Sequence, residues 1–112
     1  MTALFVTYVR PHPGREQQAL ELGIEIAEFW GKLAADGKCT PPQQFLSAAT
    51  GKVYWIVKGQ REELQQVMHS DEGMRLNAKC MLLLEGYTIE MVLADEEVDE
   101  MFMTYAGLLP TA

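Results

Sequence analysis

His69 heads the run His69-Ser70-Asp71-Glu72, where an imidazole beside a carboxylate could work as a general base. The plain alternative is a half-exposed histidine at a helix end. His12, set between Pro11 and Pro13, could reach over a pocket mouth or serve only as a loop residue. Tyr8, Tyr54, Trp55 and Tyr87 fall on segments read below as strands. Under a layer of helices they could line a pocket for an aromatic or polyketide-like ligand, with tyrosine hydroxyls orienting it. As core residues they would need no such role. We take His69 and Tyr8 as the catalytic candidates, and Trp55, Asn77, Tyr54 and Tyr87 as the ligand-pocket candidates.

Other chemistry finds little footing. Two histidines among scattered acids lack the spacing of metal ligands, so no metal is expected. There is no GxGxxG, GxSxG, HExxH or CxxC, and Thr50-Gly51-Lys52 lacks the glycine-rich loop that would cradle phosphate. No cofactor is expected. Cys80, among Met and Leu, reads as an inert buried thiol, whereas Cys39, beside Lys38 in a loop, is the better candidate for a reactive one.

A chain of 112 residues, 48% apolar and 22% charged, is one globular domain, 1–112. No apolar run approaches the 18 residues or so of a membrane span. The start, MTALFVTYVRPHPGR, lacks a basic region and a small-residue cleavage site. With only two cysteines, the expectation is a reduced, cytoplasmic protein. The net charge of −7 arises beyond Leu84, where seven acids meet no Lys or Arg. Such a chain is repelled by phosphate backbones and anionic lipid, so neither nucleic acid nor membrane is an expected partner.

The positioning elements follow from pattern. Ala3 to Val9 alternates Leu4, Val6 and Tyr8 with Phe5, Thr7 and Val9, apolar on both faces as in a covered central strand. Gly14 to Asp36 predicts a long helix whose polar residues occupy an arc of roughly 80°, so it should bury two sides. Gly23 and Gly31 inside it suggest close backbone approach or tolerated defects. Gln43 to Ala49 and Val53 to Lys58 read as strands joined by Thr50-Gly51-Lys52. A helix from Gln60 is interrupted at Ser70–Gly73, with Ser70 or Asp71 able to cap a second piece running to Cys80. Tyr87 to Leu93 reads as the last strand and Asp95 to Leu109 as a closing helix. Val98, Met101, Phe102, Tyr105, Leu108 and Leu109 form its apolar stripe.

This order predicts an α+β, ferredoxin-like βαββαβ fold, a four-stranded antiparallel sheet with helices on one face plus an extra C-terminal helix at 94–112. Strands apolar on both faces would leave one sheet face wet in a monomer. Two sheets packed face to face remove that conflict, so a homodimer is expected. The last helix could then cover the second side of helix one, in its own subunit or the partner's.

FVTYVRPHPGRE, VYWIVKG and LQQVMHSDEG, in that order, give residues 3 to 93 a pattern that resembles the dimeric α+β barrel superfamily, antibiotic-biosynthesis-monooxygenase-like group. The group includes cofactor-free quinone-forming monooxygenases, haem-degrading enzymes and small proteins without an established activity. The haem-degrading branch has a Trp three residues before the Ser of Ser-Asp and a His seven after it; those positions here are Val67 and Asn77. That branch's first-strand Asn falls at about Thr7 or Tyr8. The histidine on helix one of the YCII-like branch has no counterpart between Arg15 and Asp36. The resemblance therefore implies a cofactor-independent monooxygenase-like enzyme for a small aromatic or polyketide-like ligand. A non-catalytic dimeric module, binding a small apolar ligand or stabilising an assembly, is the alternative.

Overall fold

The structure, a computed structural model, describes residues 1–110; the last two positions of the expected extension at 94–112 lie outside the described residues. Strand β1 (Thr2–Tyr8) runs through the middle of a four-stranded sheet. Arg10–Pro11 (β2) continues from it and pairs with Leu84–Glu85 (β5), a two-residue ribbon that the prolines gave no reason to expect. Helix α1 spans Glu16–Ala35 and turns at Asp36-Gly37, where Gly37 takes φ +75°, a left-handed geometry that favours glycine. Strand β3 (Gln43–Leu46) and strand β4 (Val53–Gly59) follow. Helices α2 (Arg61–His69) and α3 (Asp71–Leu83) precede strand β6 (Thr88–Leu93) and helix α4 (Glu96–Leu108).

The sheet order is β3-β4-β1-β6, every pair antiparallel. That is the expected ferredoxin-like α+β plan. Leu4 stands opposite Val57 and Met91, and Val6 opposite Trp55 and Ile89. Because strand side chains alternate, these residues share the face under α1, α2 and α3. Leu4, Trp30, Trp55, Val57 and Leu64 are its buried centre. The rings of Trp30 on α1 and Trp55 on β4 meet edge-on at 5.4 Å and 65°. Such a contact adds about 0.5–1.5 kcal/mol to the burial of the two rings.

Ser70 breaks the helix as its sequence suggests. Its backbone is extended, and its Oγ accepts from the Gly73 N–H at 3.1 Å, capping α3. Gly73 is required there, since a Cβ would collide with the Val67 carbonyl oxygen. The bend lets α3 turn back over the sheet beside α1.

Several expectations need correction. The Gln43–Ala49 strand is only four residues long, and all four are exposed. Tyr87 is not on the last strand but just before it, after Gly86 at φ +69°. Gly23 and Gly31 make no close approach within the subunit: a Cβ at either meets nothing within 4 Å. Helix α1 buries one side only, since Leu20 and Ile24 are 63% and 55% exposed. The expected buried stripe of α4 is uncovered in the subunit, with no buried residue among those described. No helix of the described residues is long and apolar enough to cross a membrane.

Candidate functional site

Between the covered sheet face and helices α1 and α3 lies a partly open cavity of about 110 Å³. Its walls are apolar because its elements are: Val6, Trp55 and Ile89 from the sheet, Leu22, Ile26 and Trp30 from α1, and Leu76 from α3. Five polar side chains border it, namely Tyr8, Gln44, Asn77, Cys80 and Tyr87. Drug-sized ligands occupy roughly 300–1,000 Å³, and an engineered cavity of about 150 Å³ holds one benzene. The space as it stands suits one small ring.

The polar groups are ordered by the turn at Gly86 and by α3. The Tyr87 hydroxyl donates to Asn77 Oδ1 at 2.6 Å, fixing the amide so that its NH₂ points elsewhere. Burial raises the Tyr87 hydroxyl above its ordinary range, and the nearby Cys80 adds to the rise. Burial likewise pushes the Cys80 thiol up to about 11, with Tyr87 acting the other way. Burial first and Cys80 second raise Tyr8. At neutral pH all three therefore keep their protons. Tyr8 and Cys80 can donate hydrogen bonds to an oxygen while Tyr87 already donates to Asn77, and none of the three is an acceptor for a substrate proton.

Of the six candidates, Tyr8, Trp55, Asn77 and Tyr87 are brought together at this cavity. Two are not. Tyr54 is excluded by strand alternation: its neighbour Trp55 takes the covered face, which sends Tyr54 to the open face. There its ring lies 6.3 Å from that of Phe5 and under the Lys52 ammonium. His69 is exposed at the last residue of α2 and does not line the cavity, because the bend at Ser70 carries it outward while Met68 faces in. The pairing of His69 with Asp71 or Glu72 is also absent among the described residues, where Glu72 is held by Arg75. His12 lies at the end of α3, with its N–H on the Leu83 carbonyl, away from the cavity lining. Cys39 loses its case for reactivity, since burial and then Glu63 raise its thiol rather than activate it.

Sequence reasoning missed Gln44, Trp30 and Cys80 as cavity neighbours. Gln44 could have been found from register, since it pairs with Trp55 and so shares its face. A larger, shallow concavity over Glu25, Glu28 and Lys32 is an exposed ion network: Arg75 Nη2 reaches Glu25 at 2.6 Å and Lys79 Nζ reaches it at 3.1 Å. Those partners hold the Glu25 and Glu72 carboxyls below the usual range. Among the described residues no three His, Cys, Asp or Glu side chains converge as metal ligands would.

No protein-family model matches the chain, and no curated protein matches it in sequence. Solved structures do match in shape. The Rv0793 protein of Mycobacterium tuberculosis superposes with a TM-score of 0.64 at 14% identity, over 85% of this chain and 96% of that one. An antibiotic biosynthesis monooxygenase superposes with a TM-score of 0.63 at 17% identity, over 85% of this chain and 99% of its own. The NE2512 protein of Nitrosomonas europaea, of unknown function, matches 99% of this chain and 95% of its own, with a TM-score of 0.53 at 20% identity. The fold of this chain is thus the α+β fold of the antibiotic-biosynthesis-monooxygenase-like structures, helices over one face of an antiparallel sheet.

Proposed function

We propose that the protein is a small homodimeric, monooxygenase-like enzyme that acts without haem, flavin or metal on a compact aromatic ligand seated between sheet and helices. The Tyr87–Asn77 pair at 2.6 Å, set beside Tyr8 in an otherwise apolar cavity, carries this reading. It leaves the Asn77 NH₂ and the Tyr8 hydroxyl for one ligand oxygen. Donors aimed at that oxygen favour its anion, lower the pKa of a bound phenol or enol, and make the ring electron-rich. Dioxygen can then react with the ligand itself: one oxygen atom becomes a new ring carbonyl, and the other leaves as water with the displaced ring hydrogen and the ligand's own hydroxyl proton. The apolar walls would keep bulk water from the intermediate. The dimer would form through the open sheet face, where Phe5, Tyr54 and Ile56 stand together.

A second reading, a binding module without catalysis, is favoured by the 110 Å³ volume and by the protonated state of the phenols and thiol that border it. One experiment separates the two. Trp30 and Trp55 both border the cavity, so a panel of one- and two-ring phenols is titrated by tryptophan fluorescence while dissolved oxygen is followed. The enzyme reading expects quenching with oxygen uptake, and loss of uptake in Asn77→Ala. Quenching without uptake would leave the binding module standing. Neither signal would sink both.

A further inference from the structure

Helix α4 divides into two unlike parts. Its first turn is pinned to the subunit: the N-terminal ammonium pairs with Glu96, Thr2 Oγ1 donates to Glu97 at 2.9 Å, and Arg61 Nη2 reaches Glu97 at 3.2 Å. Lys58 Nζ holds Asp95 at 3.2 Å just ahead of it. Asp95 has φ +54°, the one positive φ outside glycine among the described residues. A side chain rarely adopts that region unless its surroundings hold it there, and here the ion pairs around Asp95 and Glu97 set the direction of α4. Beyond this base nothing among the described residues covers the helix. Met101, Phe102, Tyr105, Leu108 and Leu109 fall within an arc of about 120°, and Phe102, Leu108 and Leu109 are 62%, 78% and 68% exposed.

We infer that α4 is an exchanged arm, its apolar face seated on the exposed β3–β4 hairpin of a second copy of this chain. The inference rests on the homodimer proposed above. Surface area argues for a second copy. A folded monomer of 12.6 kDa exposes about 6,200 Å², whereas this subunit exposes 7620 Å². Its radius of gyration is 16.5 Å, against about 13 Å for a compact chain of this length. The excess of about 1,400 Å² is what one partner gives up in a standard to obligate interface, about 800–2,500 Å² a side.

The hairpin is chosen by topology. The sheet ends in two open edges, β3 and β6. Stacking two open faces about a two-fold axis that runs along the strands brings β6 of one copy toward β3 of the other, the arrangement that closes edges into a barrel. Helix α4 follows β6 after only Ala94 and Asp95, so it starts beside the partner's β3. Leu93 lies at the Gly59 end of the sheet and Leu46 at the Val53 end, so an arm running back along the partner's β3 brings its last turns to Phe45 and Leu46, 51% and 69% exposed.

Sedimentation of the full chain tests this. Two double variants, Phe102→Asp with Leu109→Asp and Phe45→Asp with Leu46→Asp, change residues already exposed in the subunit, so helicity by circular dichroism should persist. Each is expected to raise the dimer dissociation constant about 100-fold. An unchanged constant in the arm variant overturns the inference while leaving the sheet-face dimer intact. A change in the arm variant without one in the hairpin variant overturns the landing site. A wild-type monomer at micromolar concentration, with α4 free for some other protein, overturns both the arm and the dimer.

Discussion

Tyr54 and Trp55 are neighbours on one strand, yet they belong to different worlds. Trp55 is 7% exposed, packed edge-on against Trp30 and bordering the cavity. Tyr54 stands on the bare side of the same sheet with Phe5 and Lys52. Both faces are rich in large apolar groups, but only one has a roof within the subunit. Residue type therefore says little about role here; the roof decides. On the covered face a side chain is fixed by packing at the density of an interior. On the open face the same surface is a potential contact, answerable only to another molecule.

The sharpest way to test that contrast is to remove a large side chain from the covered side. Trp30→Ala should cost about 3–5 kcal/mol of unfolding free energy by urea titration, because it empties the ring space against Trp55 and Phe29. On the open side, Ile56→Asp should leave the urea midpoint of dilute protein nearly unchanged but weaken association about 100-fold in sedimentation. A large midpoint shift for the isolated subunit would erase the distinction between the faces. Next in size is Tyr87→Phe. It strips Asn77 Oδ1 of its donor and should lower stability by about 1 kcal/mol and weaken phenol binding in the fluorescence titration.

A further effect is alkaline. The folded Cys80 thiol sits at about 11, above its ordinary 9.0, and Tyr87 is raised too. A raised acid contributes stability that is fully present below the unfolded value and is lost as pH climbs through the folded one. The urea midpoint should thus slide downward between pH 9 and 11, and Cys80→Ala should flatten that slide. A midpoint that stays level in the wild type would mean the cavity floor is wetter than its packing implies.

Much of this was legible beforehand. The alternation Leu4, Val6, Tyr8 against Phe5 and Thr7 gives a central strand apolar on both sides, and the structure pairs β1 with β4 and β6. The helix break at Ser70 follows from a capping residue. What pattern could not give is handedness of exposure. A period of two separates Tyr54 from Trp55 but does not say which faces the helices. The outward turn of His69 depends on the angle between α2 and α3, set by Gly73 against Val67. Cys39 looked activated beside Lys38, but its neighbours in space are the core and Glu63. Tyr87 owes its place to Gly86, where any Cβ would press on Val9.

Asp95 has a consequence for how such a protein could change over generations. Every side chain bordering the cavity lies between Leu4 and Ile89, while the arm begins past a single contorted joint. Substitutions at that joint could redirect or retire the arm and leave the ligand chamber's walls in place. Quaternary habit and chemical preference could then drift on separate schedules within one lineage.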